Sequence, residues 1–144
     1  MQRICVRKAE RKYLRSGATT VEMALAAPIL LTFVFGIMQV GYAFMVQHAL
    51  QNAAYDGSRA GSLPNRSTAA VTSAVNGMLD PLGLSSSATT TIQVNNLPAS
   101  VATAVSGDNI SVIVAVPLTE VTLFPGFFSN WTGNLTGAAT FRCQ

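Results

Sequence analysis

A basic cluster runs straight into a long apolar stretch, and that junction limits what the chain can fold into. Arg3, Arg7, Lys8, Arg11, Lys12 and Arg15 account for six of the nine basic residues in the 144-residue chain. From Met23 to Val46 the sequence is then almost wholly apolar, interrupted by Thr32, Gln39, glycines and Pro28. A helix needs roughly 20 apolar residues to cross the hydrocarbon of a bilayer, so this stretch predicts one membrane-spanning helix. Pro28 removes one backbone donor, which transmembrane helices tolerate. Tyr42 and His48 flank the far end, where amphipathic rings suit the interface. The positive-inside rule puts the basic segment in the cytoplasm. The expected location is therefore the cytoplasmic (inner) membrane, single-pass, with the C-terminal part extracytoplasmic.

Composition supports a membrane segment joined to a lightly charged domain. Hydrophobic residues make up 49% and charged residues 10%, against about 25% charged in ordinary soluble domains. The net charge of +3 is a leader effect. Beyond Gly17 only Arg59, Arg66 and Arg142 face Glu22, Asp56, Asp80, Asp108 and Glu120. A terminal basic tail beside an apolar run is a topology signal rather than a folded basic face, which argues against nucleic acid as a partner. Of the two cysteines, Cys5 lies in the basic leader and Cys143 near the other end. An internal disulfide is not expected. Cys143 is read as a small, partly buried residue, with an intermolecular disulfide as the lesser alternative.

The chain divides into a basic leader (1–17), a transmembrane and projecting helix (18–61) and an extracytoplasmic domain (62–144). The leader is polar and basic with no core of its own, and is expected as disorder or a cytoplasmic tail. From Ala18 to Ala60 a continuous helix would run roughly 65 Å, half in the membrane and half projecting. Ala49, Ala53, Gly57 and Gly61 recur every four residues and make a stripe of small side chains, which lets another helix or a sheet approach closely. That stripe suits a subunit interface and the seat of the domain's own sheet equally.

"SLPN" at 62–65 breaks the helix. A shorter helix is expected from Ser67 to Leu79, with Ser67 as its cap and Val71, Val75, Met78 and Leu79 as its apolar face. "SSSATT" reads as a loop. The period then becomes extended: a short strand at 90–94, the strongest strand "NISVIVAVP" at 109–117, and a closing strand at 139–142. The order predicts an α+β fold, an antiparallel sheet packed on the projecting helix.

"RSGATTVEMALAAPILL" carries the residues that point to a function. Gly17, four small or apolar residues, and then Glu22 follow the basic leader and precede the apolar helix. This pattern resembles the leader of type IV pilins and pseudopilins. The wider stretch, with "NAAYDGSRAG" ending in Arg59, is similar to the TadE-like family, over about residues 14–62. The resemblance implies cleavage by prepilin peptidase between Gly17 and Ala18. It implies that Glu22, fifth in the mature chain, pairs with the new ammonium of a neighbouring subunit and sets register. A carboxylate in hydrocarbon is costly until a positive partner arrives. It further implies partnership with other pilins or pseudopilins and inner-membrane pilus assembly proteins, in a tight-adherence (Flp) pilus or related secretion system. Met23 and Tyr55 depart from the family's usual residues. On residue chemistry alone, Glu22 could equally be a first-turn charge that complements the helix dipole. Gly17 at this spacing favours the assembly role.

Other residues have plainer readings beside the functional ones. Arg59 is expected to pair with Asp56, three positions earlier, more readily than with a partner. Phe124, Phe127, Phe128 and Trp131 are expected as local core before a membrane or partner contact. His48 is the only histidine, which argues against a metal site or a histidine-dependent triad. No pair of carboxylates stands out as acid and base. No cofactor and no catalysis are expected. The alternative is an uncleaved single-pass envelope protein whose exported domain is a binding module. A secretory signal peptide is disfavoured because its apolar core is about 7–15 residues long.

Overall fold

The computed structural model describes the backbone of residues 5–124 and 132–144, with side chains from residue 17 onward in those ranges. Phe127, Phe128 and Trp131 of the aromatic cluster lie outside the described residues.

Helix α1 spans Cys5–Ser62. It takes in the basic leader from Cys5, so of the two expectations for the leader, disorder is corrected. Arginine, lysine, glutamate, alanine and leucine are strong helix formers and need no core to continue a helix already nucleated beside them. The chain divides into two compact units, Met1–Met38 and Gln39–Gln144. The boundary falls inside α1, so the helical residues from Gln39 onward belong with the sheet rather than with the apolar run.

In the first unit, none of residues 17–38 is buried. Val21, Met23, Leu25, Ile29, Leu30, Leu31 and Phe33 are all exposed. Pro28 sits inside the helix, and Thr32 Oγ1 donates to the Pro28 carbonyl at 2.8 Å.

The second unit holds one core. Helix α2 runs Thr68–Leu79, capped by Ser67, whose hydroxyl accepts from the Ala70 N–H. Val71, Val75 and Leu79 are buried, whereas Met78, expected on the same face, is exposed. A 3-10 turn at Asp80–Leu82 ends at Gly83 in the left-handed region, with φ 68°. Strand β1 is Thr89–Val94, β2 is Leu97–Pro98, β3 is Asn109–Pro117 and β4 is Asn134–Arg142. They form an antiparallel sheet in the order β2-β1-β3-β4, giving the α+β fold expected.

Alternation decides which face of the sheet is buried. Ile110, Val112, Val114 and Val116 of β3 are buried with Val94 of β1 and the α1 residues Val46, Leu50, Ala53 and Ala54. Thr89, Thr91, Thr136, Ala138 and Thr140 are exposed on the other face. Strand β2 is absent from the sequence reading. It is made by Asn95 and Asn96, with φ 51° and 68°, the left-handed pair that a two-residue hairpin turn requires. Strand β4 is five residues longer at its start than the closing strand expected at 139–142. Its first half is built of small residues around Gly137, which give little strand signal.

Candidate functional site

Gly17 and Ala18 lie within α1 and are exposed, and a Cβ placed at Gly17 would meet nothing within 4 Å. Glu22 is exposed one helical turn further on, between the exposed side chains of Val21 and Met23. The bond between Gly17 and Ala18 is therefore helical on both sides.

The four-residue stripe is in a different setting. Ala49 is half-buried and Ala53, Gly57 and Gly61 are buried. A Cβ at Gly57 would stand 2.8 Å from Val75 Cγ2 and 3.3 Å from Val112 Cγ1; one at Gly61 would stand 3.2 Å from Ile110 Cγ2 and 3.3 Å from Val71 Cγ2. These glycines let α2 and β3 approach the α1 backbone, so within one chain this part of the stripe seats the sheet and the short helix. Gly137 on β4 makes the complementary approach. A Cβ there would collide with the Leu50 carbonyl and lie 2.6 Å from the Gln51 nitrogen.

Three glutamines on α1, at 39, 47 and 51, add polar clamps to this packing. Gln51 Nε2 donates to the Ala138 carbonyl at 2.7 Å, and its Oε1 accepts from the Ala138 N–H at 3.4 Å. Gln47 Nε2 donates to the Thr136 carbonyl at 2.7 Å. Among the described residues, strand β4 is an edge of the sheet, and unpaired edge groups invite pairing with another chain. The two glutamines occupy those groups from the helix side. Gln39 is fully buried and does the same for a non-strand segment: Nε2 donates to the Val121 carbonyl at 3.0 Å and Oε1 accepts from the Leu123 N–H at 2.9 Å. From the sequence Gln39 is only an interruption in an apolar run, and Gln47 and Gln51 lie beyond its end. The one signal available is that a long amide persists at three positions facing the domain.

Asp56 is half-buried and Arg59 exposed. Among the described residues, no side-chain ion pair joins them. Tyr55 packs edge-on against Phe141 of β4, with ring centroids 4.9 Å apart. Cys143 is a buried free thiol contacted by Arg66 Nη1, while Arg66 Nη2 donates to the Ala104 carbonyl at 2.8 Å. Arg66 thereby ties the segment after α1 to the end of the sheet. Asp108 organises the turn beside it. Its carboxylate accepts from the Val105 N–H and from Asn95 Nδ2, both at 2.9 Å, and these bonds, with Arg66 nearby, favour the charged form and hold its pKa below the ordinary value of 3.8.

The fold and the helix together define a class: a small α+β domain on a helix long and apolar enough, from Gly17, to cross a membrane. Within that class the helix carries a TadE-like segment, since residues 17–59 match the family model described as TadE-like protein. The match starts at Gly17 and ends at Arg59, the two ends of the motif-bearing stretch. No curated protein and no solved structure matches the chain. The family match and the apolar helix fit a membrane-anchored, pilus-related protein.

Proposed function

We propose that this chain is a TadE-like pseudopilin, a structural or assembly component of a tight-adherence (Flp) pilus or related secretion system. Prepilin peptidase cuts it between Gly17 and Ala18. The basic leader stays in the cytoplasm, the helix crosses the inner membrane, and the α+β domain is extracytoplasmic. The chain acts as a peptidase substrate and a packing subunit, in contact with lipid, other pilins or pseudopilins and inner-membrane assembly proteins, with no catalysis of its own. The observation that carries this reading is the family match opening at Gly17 and including Glu22. Glu22 is exposed on an exposed apolar helix, so its carboxylate is available to the ammonium that cleavage creates on a neighbouring subunit.

One observation favours a second reading, an uncleaved single-pass anchor. The Gly17–Ala18 bond lies inside a helix that starts at Cys5. A peptidase needs locally extended chain, so this turn has to open first. Ser16, Gly17, Thr19 and Thr20 are weaker helix formers than the residues before and after them, which makes it the easiest place to open. Intact mass from cells with and without prepilin peptidase decides between the two. A chain beginning at Ala18 only when the peptidase is present supports the pseudopilin. A chain keeping its leader in both strains leaves the anchor.

A further inference from the structure

Gln39 is the first residue of the second compact unit and a polar interruption within the apolar run of 23–46. At about 1.5 Å per residue, Ala18 to Met38 spans roughly 30 Å, the thickness of the hydrocarbon core. In a membrane-spanning chain, Gln39 then stands where hydrocarbon gives way to headgroups. A primary amide at that depth is costly unless bonded. Gln39 is fully buried and both of its amide atoms are used, one on the Val121 carbonyl and one on the Leu123 N–H. Irregular backbone near hydrocarbon is tolerated only where its polar groups are satisfied, and this clamp satisfies both partners at once. Wherever residue 39 sits, residues 121–123 sit beside it.

Beside the clamp, half-buried Thr122 and exposed Glu120 are polar, and several apolar side chains are uncovered. Val40, Phe44 and Met45 on α1 and Leu123 on the clamped segment are exposed. Within the folded unit, Val40 and Phe44 are four residues apart on α1 and both exposed. We propose that this end of the folded unit is a lipid-binding surface: Gln39 fastens the 121–123 segment to α1 so that Leu123, with Val40, Phe44 and Met45, lies in the headgroup–acyl boundary of the bilayer. The folded unit is thereby seated on the membrane at a fixed depth, in the manner of interfacial apolar faces generally. The proposal rests on the membrane-spanning part of the functional reading and not on leader cleavage.

The test uses the full chain with Cys5→Ser and Cys143→Ser, the latter keeping an acceptor for Arg66. Single cysteines at Leu123→Cys, Ile29→Cys and Leu97→Cys carry an environment-sensitive fluorophore. The protein is reconstituted in phosphatidylcholine–phosphatidylglycerol vesicles bearing either a headgroup nitroxide or a mid-chain doxyl group. Circular dichroism melts verify that each variant is folded. The expected result is loss of the Leu123 signal with the headgroup nitroxide, loss of the Ile29 signal with the mid-chain doxyl, and no loss at Leu97, which is exposed in the β1–β2 hairpin. Adding Gln39→Leu should return the Leu123 signal toward that of Leu97 without changing Ile29. If Leu123 matches Leu97 while Ile29 is quenched, the interfacial seat is wrong and the span stands. If Leu123 is shielded from aqueous iodide yet not quenched by lipid, a protein neighbour covers the face and the lipid assignment is overturned. If Ile29 is not quenched, the spanning reading falls and this proposal with it. Quenching of Leu123 that survives Gln39→Leu removes Gln39 from its tethering role.

Discussion

The two parts of α1 are written in different chemical languages. From Gly17 to Met38 the helix carries large apolar side chains and leaves them exposed. From Gln39 to Ser62 it turns small residues and amides toward a sheet: Ala53, Gly57 and Gly61 are buried, and Gln39, Gln47 and Gln51 hold backbone groups. The difference reflects the surroundings each part is suited to. Bulk helps where lipid tails are the neighbours. Where a strand backbone lies against the helix backbone, bulk is excluded and every polar group must find a partner.

Gly137→Val should break the second part hardest. Its Cβ would meet main chain at Leu50 and Gln51, which cannot rotate away, so a loss of at least about 3 kcal/mol is expected. Chemical denaturation followed by far-UV circular dichroism would measure it. Gly36→Ala in the first part, with nothing within 4 Å of the added Cβ, should instead be neutral or stabilise the helix by about 0.5–1 kcal/mol. Equal effects at Gly137 and Gly36 would erase the contrast between the two parts.

The glutamines come next. Gln39→Leu leaves the buried Val121 carbonyl and the part-buried Leu123 N–H without their partner, at a cost of about 1–3 kcal/mol. Gln51→Leu removes two bonds at an exposed position, for about 1 kcal/mol. Its larger consequence is an unoccupied β4 edge, so concentration-dependent association in sedimentation should rise with Gln51→Leu and not with Gln39→Leu.

These positions also mark where the sequence is readable. β3 and the Ser67 cap were legible because their causes are local: a β-branched run between turn residues, and a hydroxyl three residues before the N–H it accepts. The pattern from Gly17 to Arg59 was legible as a family resemblance for the same reason, being contiguous. β2 was not, because two residues give no period and only the φ values of Asn95 and Asn96 create it. The first half of β4 was hidden because Gly137 is selected for the space it leaves, which a strand propensity scores against. The glutamine clamps were hidden because each amide finds its partner more than 80 residues away, Gln39 at a separation of 82. Met78 is exposed although its spacing puts it on the apolar face, because helical periodicity does not show where the apolar face of a short helix ends.

Asp108 should give a smaller, pH-bound effect. Its carboxyl is held below 3.8 by the Val105 N–H first, then by Asn95 and Arg66. A depressed folded value means the charged form is favoured by folding, so its contribution is present above the unfolded value and fades as pH falls through the folded one. Asp108→Asn should therefore lower Tm slightly at neutral pH, with the gap to wild type closing below about pH 4. A gap that widens in acid would contradict the hydrogen-bond account.

Glu22→Ala should be the smallest of all on folding and is the sharpest test of the first part of the helix. Glu22 lies in the unit that does not contain the core, so the melting transition of the domain should not move. On the proposed reading, assembly with partner subunits should nevertheless be lost, because the carboxylate's task is to meet an ammonium on another chain. Glu22→Gln separates charge from size: it keeps the volume and a hydrogen-bonding group but cannot form the ion pair, and should fail as Glu22→Ala does. Normal piliation or secretion with both variants, at unchanged protein levels, would leave Glu22 as a charge in the first turn of the span that complements the helix dipole. The first part of α1 would then be a lipid anchor with no recognition of its own.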